Sequence, residues 1–226
     1  METEERMNQQ FIAVIAVTSL VASVALGDIY VDPTGDIATG NANLDITLVE
    51  VTNDETNVYL TLTVADLNAD WGKYMLFFDY ADGGSNDNDN PWGRNVGGLG
   101  GTDMFVGSWV DGGGGATSYS NYWLFGSSNW SADYEPGVSI DWGSNSITFT
   151  MGALMGLEID GFNFEVATTG GGWGDPAIDL LGGEGTQPGW GGGSTSTDWM
   201  YYEISIPAPS ALALLALAGI GRRRRS

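Results

Sequence analysis

Residues 44–64 read LDITLVEVTNDETNVYLTLTV, and this stretch decides the fold class. Over residues 58–64 every second side chain is Val or Leu, and the residues between them are Tyr or Thr. Because successive side chains of a β-strand point to opposite faces of the sheet, this alternation predicts a strand with one buried face. Residues 44–51 predict a second strand, and the turn-forming residues 52–57 predict that the two strands pair as an antiparallel hairpin.

Six more segments of the body have the short length and the Gly, Asn or Asp boundaries that are typical of strands. The alternating apolar residues of two of them, 146–151 and 161–168, are expected to enter the core. No segment shows a sustained helical periodicity, apart from a single turn near residues 153–157. We therefore predict an all-β fold, an antiparallel β-sandwich of the jelly-roll or immunoglobulin-like type with about eight strands. The six segments are residues 73–80, 103–110, 119–125, 146–151, 161–168 and 199–206.

Glycine is the commonest residue, with 35 copies concentrated in a few loops. Long loops on a rigid scaffold often carry binding sites, so we expect the glycine-rich loops to be binding or mobile segments. The alternative is that they are plain flexible connectors. The loops are residues 112–115, 170–172, 182–185 and 189–193.

The N-terminus has the layout of a secretory signal peptide. An apolar stretch at residues 11–21 is followed by small residues up to Gly27, which predicts a helical signal segment over residues 1–27. Met7 is an alternative start, because the acidic residues before it are unusual for a signal peptide. A membrane-spanning N-terminal helix is the other interpretation, but about fifteen apolar residues are too few to span comfortably.

The C-terminus, residues 207–226, combines a Pro-Ala-Pro sequence, a short apolar helix over residues 211–220 and a block of arginines. About ten helical residues cover roughly half of a ~30 Å hydrocarbon core, so the predicted membrane association is transient. The arginines are expected to stay on the cytoplasmic side, which places the body on the outer side.

This tail resembles the bacterial PEP-CTERM sorting signal, with Ala in place of the usual Glu. The resemblance implies that an exosortase-type sorting enzyme recognises and cleaves the tail. It also implies export through the inner membrane to the cell surface or extracellular matrix. The residues that carry it are Pro207, Ala208, Pro209, Arg222, Arg223, Arg224 and Arg225.

The body, residues 28–206, is long enough for one domain and is strongly acidic. It holds all 29 acidic residues except Glu2, Glu4 and Glu5, but only two of the seven basic residues, Lys73 and Arg94. A field of this sign excludes nucleic acid and favours divalent cations, cationic partners or neutral sugars. Because Cys and His are both absent, Ser-His and Cys-His nucleophiles and the usual zinc and haem ligands are excluded as well.

Two segments are rich in the oxygen ligands that calcium prefers. Residues 32–36 read DPTGD and contain Asp32 and Asp36, and residues 82–90 contain Asp82, Asp87 and Asp89. We predict that these five aspartates bind calcium. In the second segment, glycine and glutamate do not occur at the positions that an EF-hand loop requires. The alternative interpretation of this segment is a solvated acidic hairpin tip.

Residues 32–36, 44–47 and 63–66 together resemble the opening of a family of bacterial β-sandwich binding domains. This family is related to family-nine carbohydrate-binding modules and to the C-terminal domain of glucodextranase. Its members usually lie outside the cell, often bind calcium structurally, and some bind sugar. The resemblance therefore implies that Asp32 and Asp36 are calcium ligands.

The body is also rich in aromatic residues, because all nine tryptophans of the chain lie in it. Exposed aromatic rings bind polysaccharides by stacking against sugar rings, so tryptophans in polar, glycine-rich loops are our candidate ligands. Packing of these tryptophans in the core is the alternative. The candidates are Trp92, Trp109, Trp123, Trp130, Trp173 and Trp190.

No catalytic motif accompanies these features. Glycoside hydrolysis needs a pair of carboxylates, but so acidic a chain places some pair together by chance. We therefore predict a non-catalytic protein with a calcium-stabilised fold and affinity for polysaccharide. The alternative is a self-associating structural or adhesive matrix protein without a sugar site, and a glycoside hydrolase is less favoured.

Overall fold

The structure is a computed structural model that describes residues 27–124 and 127–205. The prediction of an all-β fold with antiparallel sheets is confirmed: the described residues form fourteen strands, one α-helix of five residues and three 3-10 helices of three residues each. The strands are β1 (Asp28–Val31), β2 (Ile46–Asn53), β3 (Val58–Val64), β4 (Lys73–Asp79), β5 (Val96–Gly97), β6 (Met104–Trp109), β7 (Gly115–Leu124), β8 (Ser127–Ala132), β9 (Gly137–Asp141), β10 (Ser146–Met151), β11 (Gly161–Thr169), β12 (Ala177–Leu180), β13 (Ser194–Thr195) and β14 (Met200–Glu203), and the helix α1 is Gly152–Gly156.

The first sheet has five antiparallel strands in the order β1-β2-β3-β10-β9. Its centre is the predicted hairpin, in which β2 and β3 pair with Val51 opposite Leu60. All four Val and Leu residues of β3 are buried, and the Tyr and Thr residues between them are partly exposed. The period-two pattern therefore identified both the strand and its buried face.

The second sheet has seven antiparallel strands, six of them in the order β12-β11-β4-β6-β7-β8. Strand β11 pairs with β4 along one edge. On its other edge, β14 pairs with residues 161–164 and β12 pairs with residues 167–169. The short gap between these two partners is where the loop after β12 contacts the sheet.

The main core lies between the two sheets. The expected core side chains of β10 and β11 are buried there, with Phe149 and Phe164 fully inaccessible to solvent. Burying one such side chain stabilises the fold by about 1.5–3 kcal/mol. The β10 and β11 contributors are Ile147, Phe149, Met151, Phe162, Phe164 and Val166.

A second layer of loops covers the outer face of the seven-stranded sheet. Phe77 of β4 and Phe105 of β6 point to this face and form a smaller core with Val96, Leu99 and neighbouring residues. The two-residue strands β5 and β13 pair in parallel and join residues 80–103 to residues 181–199. Because these loops pack on the sheet, they hold side chains above it in fixed positions.

The alternation of apolar and polar residues in the sequence did not identify every strand. Strand β8 is mostly polar and all four residues of β12 are buried, so neither shows a clear period of two. Strand β9 is not among the predicted segments although it alternates: Val138 and Ile140 are partly buried against the main core, and the residues on either side of them are exposed. The predicted signal helix and C-terminal helix lie outside the described residues. Within those residues no helix has the length and apolar character needed to cross a membrane.

Candidate functional site

Three carboxylates from distant parts of the chain meet at one end of the fold. Asp32 follows β1, Asp36 ends the turn that begins at Pro33, and Asp179 lies within β12. One oxygen of each lies within 4.8 Å of the other two. Among the described residues this is the one acidic group of three or more so close together. The structure thus brings the predicted ligands Asp32 and Asp36 together and adds Asp179.

Backbone contacts fix these side chains in place. The turn between Asp32 and Asp36 contains Gly35, which has a φ of +83° and donates its N–H to both carboxylate oxygens of Asp45, at 3.0 and 2.9 Å. Asp179 accepts hydrogen bonds from the N–H groups of Ile46, at 2.6 Å, and Leu180, at 2.9 Å. The Ile46 contact links residues 133 positions apart, so the cluster also joins the two sheets.

Two oxygens of the cluster have no hydrogen-bond partner. Asp32 is only 3% exposed, and its Oδ2 is buried without a donor. The Oδ1 atom of Asp36 is in the same situation. A buried polar atom without a partner costs free energy, and a carboxylate oxygen can accept a cation instead of a proton donor. Three carboxylates with free lone pairs match the hard, oxygen-seeking chemistry of Ca²⁺.

The proton affinities of these groups reflect the same crowding. Burial, together with the charges of Asp179 and Asp36, raises the pKa of Asp32 to about 9. Burial raises the pKa of Asp179 to about 7, and the N–H donors of Ile46 and Leu180 partly oppose it. Glu165, fully buried in β11, has a pKa raised by burial to about 7. A bound cation would let the cluster ionise, because an opposite charge stabilises the carboxylate form.

These raised pKa values predict how the calcium-free protein responds to pH. A carboxyl group with a raised folded pKa stabilises the fold below its unfolded pKa, near 4, and this stabilisation is lost as pH rises through the folded value. In excess chelator, the melting temperature should therefore be lower at pH 8 than at pH 5, by about 5 °C or more. Thermal denaturation followed by circular dichroism checks this, and a melting temperature that rises from pH 5 to pH 8 would contradict it.

The second predicted calcium segment uses its side chains differently. Asp87 accepts the N–H groups of Asn88 and Leu99, both at 2.9 Å, and Asp89 accepts the hydroxyl of Ser128. Asp82 is exposed. These three aspartates do not converge as the first cluster does. Asp87 and Asp89 instead stabilise the loop that covers the outer face of the seven-stranded sheet.

A shallow cavity of about 270 Å³ lies on that outer face. Its lining comes from four separate parts of the chain. Strands β4 and β6 provide Lys73 and Trp109, which are opposite each other in the register. The loop before β5 and the loop between β11 and β12 provide the rest. The lining residues are Lys73, Trp92, Arg94, Trp109, Gly171 and Trp173.

Two glycines in the sheet leave the space that two of the tryptophan rings occupy. A Cβ atom added at Gly107 of β6 would lie 2.1 Å from the ring of Trp92, and one added at Gly115 of β7 would lie 2.6 Å from the ring of Trp109. Any larger residue would displace these rings. The sequence therefore combines small residues on the sheet with large aromatic residues that pack against them.

A turn clamped by Asn90 positions the charged wall of the cavity. The side chain of Asn90 donates to the carbonyl of Arg94, at 2.9 Å, and accepts the N–H of Arg94, at 3.0 Å. The carbonyl of Asn90 accepts the N–H of Gly93. The guanidinium of Arg94 then lies over the ring of Trp92, 5.7 Å from its centroid. Trp92 also contacts Phe105 edge-on, so its ring is held from both sides.

A second cavity, of about 310 Å³, shares Trp109 with the first. Its other lining residues lie around the start of β7 and around the start of β9, and include Glu135 and Val138. Trp109 is the residue that the two cavities share. The predicted binding loops 112–115 and 170–172 each contribute glycine to the lining of one of the two cavities.

The remaining candidate tryptophans are elsewhere. Trp130 packs against the smaller core, 6.4 Å from Phe105, as the core-packing alternative expected. Trp190 is 47% exposed and lies 6.0 Å from the ring of Trp71, beside the glycines of the β11–β12 loop. The side chain of Trp123 lies outside the described part of the structure.

Sequence reasoning did not select four residues that the structure places in the acidic cluster, in the first cavity or beside Trp190. Asp179 is a single acid inside the short apolar run Ala177–Leu180, and such a charge in a buried strand is itself an unusual signal. Lys73 and Arg94 stand out in the sequence as the only cations of the body, but this alone does not place them in one cavity. Trp71 has no sequence signal that separates it from a core tryptophan.

Comparison with known proteins adds no family assignment, because no protein-family model, curated protein or solved structure matches this chain.

Proposed function

We propose that this chain is an exported, non-catalytic, polysaccharide-binding protein of the cell surface or extracellular matrix, with a fold stabilised by calcium. One observation carries the binding function: Trp92, Trp109 and Trp173 come from three separate segments and line one open cavity. Trp173 is 86% exposed, so its ring is free to contact a sugar. An exposed aromatic surface of this kind on a folded domain is typical of a binding site.

The calcium part of the proposal rests on the cluster of Asp32, Asp36 and Asp179 and on its two unpartnered oxygens. These residues would hold Ca²⁺, which would link the N-terminal turn to β12 and neutralise part of the acidic charge. The resemblance of residues 32–66 to carbohydrate-binding β-sandwich domains agrees with both parts of the proposal. We also propose that the two sheets have the jelly-roll or immunoglobulin-like arrangement of such domains.

The composition of the two cavities supports a non-catalytic role. A glycosidase needs two carboxylates beside the scissile bond. Among the described residues, the first cavity is lined by no Asp or Glu, and the second is lined only by Glu135. The paired acids of the calcium cluster are buried or partly buried and belong to neither cavity.

Incubation of the purified body, residues 28–206, with a panel of soluble polysaccharides tests this function. Affinity gel electrophoresis should show retarded migration with at least one polysaccharide, and a reducing-end assay should show no cleavage. Release of reducing ends would favour the hydrolase. Assembly on calcium addition without retention by any polysaccharide would favour the structural or adhesive alternative.

The predicted location rests on the terminal segments, which lie outside the described residues. We propose that the signal peptide directs export and that an exosortase-type enzyme removes the tail after residues 207–209. Protein extracted from the surface of the producing cell should therefore lack residues 222–225, which mass spectrometry of the intact chain detects. Recovery of a surface form that retains all four arginines would contradict cleavage.

A further inference from the structure

The aromatic cavity also gathers the positive charge of the body. Lys73 and Arg94 are the only basic residues in the described segments 27–124 and 127–205, and both line this cavity. All other charged side chains of these segments are acidic. Two cations placed by different parts of the chain in one cavity indicate a preference for a ligand with a negative group.

Arg94 has no carboxylate close to its charge among the described residues. Its side chain is 6% exposed, and its Nε and Nη1 atoms are buried with no hydrogen-bond acceptor. No described carboxylate lies within ion-pair distance of it, and Asp175 acts on it only from further away. The Asp175 carboxylate instead accepts the N–H of Gly172, at 2.7 Å. A buried cation that lacks an anion is unfavourable, and a ligand carboxylate would relieve this.

Lys73 already has an anionic partner and is therefore expected to contribute less to ligand binding than Arg94. Its Nζ lies 2.9 Å from Oδ1 of Asp111, whose side chain is 52% exposed. Such an exposed ion pair contributes little to stability, so Lys73 can exchange this partner at small cost. Arg94 is therefore the principal anion-binding group, and Lys73 adds positive potential at the rim.

We propose that the cavity binds an acidic sugar, the uronic acid unit of a polysaccharide, with its carboxylate beside Arg94 and its ring against the tryptophans. This inference rests on the proposed polysaccharide binding and specifies its ligand. A guanidinium forms strong, charge-assisted hydrogen bonds with carboxylates. The cavity volume of about 270 Å³ is slightly below that of typical drug-sized pockets, roughly 300–1,000 Å³, which suits one sugar unit of a chain.

This proposal differs from the sequence-based expectation of a neutral sugar, which was based on the net charge of the whole body. Salt screens charges over about 8 Å at physiological ionic strength, so distant surface acids repel a bound sugar only weakly. The direct contact with Arg94 is not screened in this way. The local charge of the cavity therefore determines the preference.

Isothermal titration of the body with tetragalacturonate and with its fully methyl-esterified form, at one fixed calcium concentration, tests the proposal. The two probes share a sugar chain and differ only at the carboxyl groups, which are charged in the acid and carry a methyl group in place of the charge in the ester. We expect the acid to bind at least about tenfold more tightly than the ester. Arg94→Gln should remove this difference, Arg94→Lys should keep part of it, and Lys73→Gln should reduce it less than Arg94→Gln does.

The ester comparison uses the unaltered protein, so the test remains valid if Arg94→Gln does not fold. Equal affinity for acid and ester would overturn the acidic-sugar inference and leave polysaccharide binding intact. No affinity for either probe or for any neutral polysaccharide would overturn the proposed function itself. A preference for the acid that survives Arg94→Gln but disappears on calcium chelation would indicate calcium bridging and would also overturn the inference.

Discussion

Chelation of calcium is expected to lower the melting temperature of the body by about 5–10 °C at neutral pH. A ligand present at about 100 times its dissociation constant stabilises the folded state by about 2.7 kcal/mol. For a domain of this size, each kcal/mol shifts the melting temperature by about 2–4 °C. Magnesium at the same concentration should replace calcium poorly, because it requires a smaller octahedral site and gives up its water reluctantly.

The variant Asp32→Asn makes this prediction specific to the cluster. Asn retains the size of the side chain but removes the charge that a cation needs, so calcium should no longer raise the melting temperature. In chelator the variant should be as stable as the unaltered protein or more so, because burial keeps the raised pKa of Asp32 near 9 and its carboxyl protonated at neutral pH. Asp70→Asn, at an exposed position outside the cluster, is the matched control and should respond to calcium normally.

Differential scanning calorimetry, with calcium and with chelator, measures the melting temperatures of the unaltered protein, Asp32→Asn and Asp70→Asn. An Asp32→Asn variant that calcium stabilises as strongly as the unaltered protein would place the ion elsewhere. Equal melting temperatures with calcium and chelator for the unaltered protein would contradict the calcium site altogether.

Loss of one tryptophan of the aromatic cavity is expected to weaken polysaccharide binding by at least about tenfold. Tryptophans at the centre of binding sites typically contribute about 2 kcal/mol or more to the binding free energy. Trp173→Ala is the best variant for this test. Its ring is 86% exposed, so its removal should leave the melting temperature nearly unchanged. Trp109→Ala should also weaken binding, because Trp109 lines the same cavity.

Trp142→Ala is the matched control for the variants of the aromatic cavity. Trp142 is 47% exposed, follows β9 in the five-stranded sheet and lines neither cavity. It should therefore retain full affinity in the same gel-retardation assay. Equal losses in Trp142→Ala and Trp173→Ala would show that aromatic residues act nonspecifically, and an unchanged Trp173→Ala would remove this ring from the binding site.

The sequence predicted the central hairpin well because β2 and β3 each bury one face. Residues 58–64 alternate so regularly that the strand bounds agree with the structure. The outer strands were harder to predict, since β8 reads SSNWSA and pairs with only one neighbour at the sheet edge. A strand without a clear buried face has no period of two to recognise.

The candidate sites were predicted in part for a similar reason. Asp32 and Asp36 are close in sequence and form a recognisable motif, whereas Asp179 reaches them only through the pairing of β12 with β11. Glycine-rich surroundings selected Trp173, whose ring is exposed, but also Trp130, which packs against the smaller core. They could not show that Trp173 would lie beside Trp92, Trp109 and Arg94, because that convergence depends on how two long loops pack on the outer face of the sheet.

The central claim is that the aromatic cavity binds the polysaccharide. Two-dimensional ¹H–¹⁵N spectra of the nine tryptophan indole groups, assigned by substitution, test it most directly when a binding oligosaccharide is added. We predict that the indole signals of Trp92, Trp109 and Trp173 shift together and saturably, while that of Trp142 does not move. Saturable binding that leaves all three signals of the aromatic cavity in place would contradict the claim.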